Sequence, residues 1–137
     1  ECNCIFASAD NFAAIGFANT DFQLPGGGSI NLHMYRSLGM LPDTRLFVTP
    51  GEGSFHQYHG GVTTSSYEER EAEIEKHRIQ LHSYWPEGFH SLRREPTLIG
   101  EVSPQSVSFL QDSLEFAQKR TKRLTNQGRP FWPDDTV

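Results

Sequence analysis

A carboxylate and two imidazoles stand close together in the run Gly51-Glu52-Gly53-Ser54-Phe55-His56-Gln57-Tyr58-His59-Gly60-Gly61. An imidazole takes or returns a proton near neutral pH, so either histidine could act as a general base. Two imidazoles with Glu52 are also acceptable ligands for zinc or iron, and Asp21 could add an oxygen. A third reading is that His56 and His59 hydrogen-bond backbone and hold a tight loop in shape. All three stay open on spacing alone. The H-x-x-H spacing lacks the intervening glutamate of the zinc proteases, which disfavours that activity. Ser54 follows Gly53 directly and has no G-x-S-x-G frame, so a serine-hydrolase role is disfavoured too.

A second candidate segment is Asp21-Phe22-Gln23-Leu24-Pro25-Gly26-Gly27-Gly28-Ser29. Three consecutive glycines permit positive φ and a close backbone approach. Lying before a helix, the segment invites a phosphate-cradle reading, but it matches neither G-x-x-x-x-G-K-[ST] nor G-x-G-x-x-G. A plain turn is the default. Asp21 could ligate a metal, bind a hydroxyl or close the loop as an Asx-turn, the last being its default role.

The elements that would position these residues follow from local pattern. The apolar run Ala13–Ala18 is consistent with a buried strand, although periodicity alone also allows a helix end. Apolar residues at helical intervals predict a short helix over 29–41, ended by Gly39 and Pro42. Arg45–Thr49 is β-branched and aromatic, hence a strand. Ser65 or Ser66 caps a charged helix, with Tyr67, Ile74, Leu81 and Trp85 on one narrow stripe. Residues 97–102 form another short strand, and Ser103-Pro104 opens a final helix with Val107, Leu110, Leu114 and Ala117 along one side. This alternation predicts an α/β domain with a largely parallel sheet over residues 1–124, and a flexible tail over 125–137. In such sheets ligands bind beyond the C-terminal ends of strands, where both glycine-rich segments are expected.

Composition narrows the partners. Net charge is −5 over 137 residues, so no broad basic field exists for a nucleic-acid backbone. No apolar stretch approaches the ~20 residues of a membrane span, and no secretory signal opens the chain. Cys2 and Cys4, one residue apart, read as unpaired thiols in a cytoplasmic protein. Glu1 stands where a natural start would have Met, which leaves room for a piece of a longer protein.

The stretch Asp21-Phe22-Gln23-Leu24-Pro25-Gly26-Gly27-Gly28-Ser29-Ile30-Asn31-Leu32, followed by Gly51 to Thr64, resembles bacterial class I S-adenosylmethionine-dependent methyltransferase-like proteins of the cephalosporin-hydroxylase type. The resemblance spans roughly Ala14 to Leu110. It implies the C-terminal part of a Rossmann-like domain: a partial, mostly parallel sheet with flanking helices. An N-terminal portion of the same domain would supply most of an S-adenosylmethionine pocket, since no glycine-rich cofactor loop after a first strand is identifiable here. It further implies a divalent metal held by carboxylates, which singles out Asp21 and Glu52. The expected function is methyl transfer to a small-molecule or glycan acceptor. Glu52, His56 and His59 would be catalytic, while Asp21, Gly26, Gly27, Gly28, Ser54, Gln57 and Tyr58 would line the substrate. Two alternatives stand beside it: a non-catalytic glycan- or protein-binding module, and a metal-dependent hydrolase built on the His56/His59 loop.

Overall fold

The computed structural model describes residues 4–53, 67–85, 89, 92 and 94–126. The described part is mixed α/β: helices with one small parallel sheet. In chain order come α1 (Ala9–Ala14), a 3-10 turn (Pro25–Gly27), α2 (Ile30–Gly39), β1 (Phe47–Val48), α3 (Tyr67–Ser83), β2 (Thr97–Leu98), a second 3-10 turn (Pro104–Ser106) and α4 (Val107–Asn126). The chain divides into two compact units. The first takes in Glu1–Thr44 and Phe55–Leu92; the second takes in Arg45–Ser54 and Arg93–Thr136.

The first unit corrects one expectation. The strand over Ala13–Ala18 is absent, and a helix precedes and overlaps it. Ser8 caps α1 by accepting the Asn11 N–H at 3.2 Å, and Asp10 lies in the first turn where the helix dipole favours an anion. The helix then stops because Gly16 and Phe17 both turn to positive φ, 77° and 60°. A six-residue apolar run does not by itself distinguish strand from helix, and here the polar cap decided it.

The helix expected over 29–41 forms as α2. It ends where the Met40 N–H reaches the Arg36 carbonyl at 3.0 Å and the Thr44 hydroxyl donates to the Leu38 carbonyl at 3.3 Å. Among the described residues of this unit, Phe22, Leu38 and Leu81 are the buried large apolar residues, each at 6% exposure or less. Of the expected stripe Leu81 is buried, and Ile74 and Trp85 are half-buried. Tyr67's side chain and the capping serines lie outside the described residues. Gly39 packs closely, since a Cβ there would stand 2.2 Å from a Leu92 methyl. The surface of α3 is laced by i, i+3 ion pairs, Glu73 with Lys76 and Glu75 with Arg78.

In the second unit both expected strands form, each shortened to two residues. They pair in parallel, Phe47 opposite Thr97 and Val48 opposite Leu98. The ladder is carried by Thr97 N–H to the Leu46 carbonyl at 2.8 Å and Ile99 N–H to the Val48 carbonyl at 3.0 Å. The helix opened by Ser103-Pro104 begins as a 3-10 turn and continues as α4 to Asn126, two residues into the segment expected to be a tail. Residues 127–137 lie outside the described residues. No described residue of this unit is buried; Phe47, Val48, Leu98 and Ile99 remain between 38% and 64% exposed. Parallel strands are ordinarily covered on both faces, so this ladder carries unsatisfied apolar surface.

One close approach holds the second unit's loops together. A Cβ on Gly51 would stand 2.0 Å from the Glu101 carbonyl oxygen, an atom of rigid backbone. Gly53, two residues on, faces open space. Gly51→Ala is therefore expected to destabilise the protein by about 1–3 kcal/mol, the usual cost of forcing atoms into an occupied space. Gly53→Ala should change stability little. Urea unfolding of the two variants beside the parent checks the contrast.

Candidate functional site

Strand ends organise the second unit. Beyond β1 the chain turns through Thr49-Pro50-Gly51-Glu52, closed by the Glu52 N–H on the Thr49 carbonyl at 3.2 Å, with Pro50 supplying the fixed φ of the corner. Beyond β2 it runs through Ile99-Gly100-Glu101, with Gly100 at φ 83°. Because the strands are parallel, both exits lie at the same end of the ladder. Gly51 lies against Glu101 and Val102, and its carbonyl accepts a 3.2 Å hydrogen bond from the Ser106 hydroxyl at the start of the final helix. Ser106 in turn shares a 2.9 Å hydrogen bond with Ser103. The exposed carboxylates of Glu52 and Glu101 thus belong to two neighbouring loops at the C-terminal edge. Glu101 was not singled out from sequence. The strand-end rule applied to β2 as well as β1 would have found it.

Glu52 leads directly into Ser54, His56, Gln57, Tyr58 and His59, all of which lie outside the described residues. Asp21, expected to join Glu52 around a metal, belongs to the first unit, and Glu52 to the second. Among the described residues, no three His, Cys, Asp or Glu side chains gather in a way that could hold a metal ion. Cys4 is a free, exposed thiol.

In the first unit Asp21 has a different setting from the one expected. The Asx-turn is made by Asn19, whose side-chain oxygen accepts the Asp21 N–H at 2.9 Å. The Asp21 carbonyl accepts from the Gln80 amide of α3 at 3.1 Å. Desolvation, then the charge of Asp21 and hydrogen bonding with its carboxylate, raise the Tyr84 phenol above its ordinary value of 10.0, while hydrogen bonding with Asn19 acts the other way.

The triple glycine forms the expected turn. Gly26, Gly27 and Gly28 all take positive φ, at 73°, 77° and 58°. Only Gly28 is also crowded: a Cβ there would meet the Gln80 side-chain oxygen at 2.7 Å and the Phe22 ring at 3.7 Å. Its role in the structure is therefore to let Gln80 reach Asp21.

Around this turn stands a cluster of rings, of which only Trp85 was singled out from sequence, as part of a helix stripe. Phe22 stacks on Tyr84 at 4.9 Å and lies 5.2 Å from His33. His33 is 5.5 Å from Tyr84 and 5.7 Å from Trp85, and Trp85 meets Phe89 edge-on at 6.1 Å. The Trp85 indole N–H donates to His33 Nδ1 at 3.2 Å. The guanidinium of buried Arg36 sits 4.9 Å from the Trp85 ring, a cation–π contact worth up to about 2 kcal/mol when desolvated. Helical spacing did place His33 and Arg36 one turn apart on α2. Nothing local marked Trp85 as their common partner.

No family model matches this chain, and neither the curated proteins nor the solved structures contain a match to it. Among the described residues, no helix is long and apolar enough to cross a membrane.

The Asp21–Tyr84 pair makes a measurable claim. Asp21→Asn removes the neighbouring charge, so the Tyr84 phenol should titrate closer to 10.0 than in the parent, though not fully there because desolvation remains. Ultraviolet titration of the phenolate band checks this, with Tyr84→Phe identifying which of the tyrosines moves. An unchanged titration in Asp21→Asn would contradict the pairing.

Proposed function

We propose that this chain is part of a group-transfer enzyme of the methyltransferase-like class, acting on a hydroxyl of a small-molecule or glycan acceptor. The observation that carries the reading is the parallel pairing of β1 and β2, with Gly51-Glu52-Gly53 leaving one strand and Glu101 leaving the next at a single edge. Ligands of open α/β sheets bind at such an edge. Two carboxylates there suit hydroxyl-bearing ligands, because each can accept hydrogen bonds from a vicinal diol, whether on an acceptor sugar or on a cofactor ribose. The short ladder and its uncovered faces support a larger Rossmann-like sheet, in which further strands would extend its edges and helices would cover its faces.

On this reading Glu52 binds and orients the acceptor hydroxyl. His56 or His59, a few residues farther along the sequence, takes its proton. S-adenosylmethionine, when bound, supplies the methyl group that the acceptor oxygen gains as it gives up that proton. Positioning accounts for most of the demand on the protein, since the methyl donor is already activated. A divalent ion on Glu52 remains compatible with the same edge, where Glu101 leaves the neighbouring strand. The triple glycine and Asp21 are assigned here to scaffolding of the first unit.

Isothermal titration of S-adenosylmethionine into the longest natural form of the protein tests the proposal. Binding is expected, and methyl transfer to a panel of hydroxylated acceptors should fall by about 10²-fold or more in His56→Ala or His59→Ala, the range for loss of a general base. Glu52→Gln should raise KM for the acceptor while leaving the circular dichroism of the protein unchanged. Absence of cofactor binding, or full activity in all three variants, would overturn the assignment.

A further inference from the structure

The first unit contains a titratable group that the proposed chemistry does not use. We propose that His33 is an acid-operated latch on Trp85: neutral imidazole holds the indole, and protonation at Nδ1 releases it. An indole nitrogen can only donate, so Nδ1 must carry a lone pair for the 3.2 Å contact to exist. The proton of neutral His33 therefore resides on Nε2. Adding a second proton at Nδ1 sets two N–H groups against each other and removes the acceptor outright.

Among the described residues, the surroundings offer the imidazolium little compensation, and the groups facing His33 from the neighbouring elements are the rings of Phe22, Tyr84 and Trp85. The charged and titratable ones are Arg36, one turn along α2, and Tyr84 at the end of α3, with Asp21 beyond it. His77, two turns before Tyr84 on α3, has a buried Nε2. Arg36 already occupies the Trp85 ring with a positive charge, and like charges one turn apart on a helix repel. Asp21, the one acid in this set, is engaged by the Tyr84 phenol. Burial accordingly lowers the His33 imidazole below its ordinary 6.5, which keeps the latch closed at neutral pH.

The sign follows from linkage. The unfolded chain binds the His33 proton more readily than the folded one, so this group's contribution is complete above pH 6.5 and declines as pH falls from there toward the folded value. The first consequence is local. Trp85 loses its hydrogen bond to α2, and Phe22 and the Gly28 turn packed against it lose part of their support.

The test follows Trp85 emission in the full chain carrying Trp132→Phe, which leaves Trp85 as the single indole of the two in the sequence. Emission should change through one transition centred below pH 6.5 while far-UV circular dichroism stays constant. His33→Asn, whose side-chain oxygen can replace Nδ1 as acceptor but does not titrate, should abolish the transition. A transition that persists in His33→Asn, as it would if His77 were responsible, overturns the proposal; so does one that coincides with loss of helix signal. Should that variant fail to fold, long-range proton–nitrogen NMR of the parent decides the matter. An Nε2–H tautomer at neutral pH, converting to imidazolium below 6.5, is expected, and an Nδ1–H tautomer would refute the latch.

Discussion

The indole of Trp85 is the contact on which the first unit depends. It gives its only proton to His33 and its ring face to Arg36, and so fastens the end of α3 to two successive turns of α2. The buried guanidinium is tolerable because an aromatic face replaces part of its lost hydration. Among the described residues of this unit only three apolar side chains are buried, so their burial alone would leave α2 and α3 weakly joined. Polar and aromatic geometry supplies the difference, which makes this small core specific and also sensitive to proton activity.

The second unit solves a different problem. Two residues per strand make too short a ladder to stand alone, and its side chains stay exposed on both faces. Backbone proximity compensates in part: Gly51 lies on Glu101, and Ser106 ties the Gly51 carbonyl to the start of the final helix. The same packing brings Glu52 and Glu101 onto adjacent loops. A structural need for a side-chain-free position thus also shapes the edge where a ligand would bind.

Local chemistry was largely legible. Pro25 and three glycines announced a turn with positive φ, Ser103-Pro104 announced a helix, and the Arg45–Thr49 and 97–102 segments announced strands of the correct kind, though longer than those that form. The Ala13–Ala18 run was misleading because continuous apolarity carries no period, and the cap at Ser8 outweighed it. The candidate site was legible at Glu52, whose position at a strand end follows from alternation of elements. His56 and His59 fall outside the described residues, and Asp21 belongs to the first unit, where its charge acts on the Tyr84 phenol. Glu101 escaped notice because nothing in its own neighbourhood marks it; only pairing of β2 with β1 does.

Taken by itself, the order of residues determined what each short segment can do: where glycine must turn, where serine and proline start a helix, which residues carry protons or charge. Tertiary structure alone decided which of those groups meet. Trp85 and His33 lie 52 positions apart, and Ser106 and Gly51 lie 55 apart. Contacts at such separations arise from packing of whole elements, whose outcome depends on every face at once, and no local pattern encodes them.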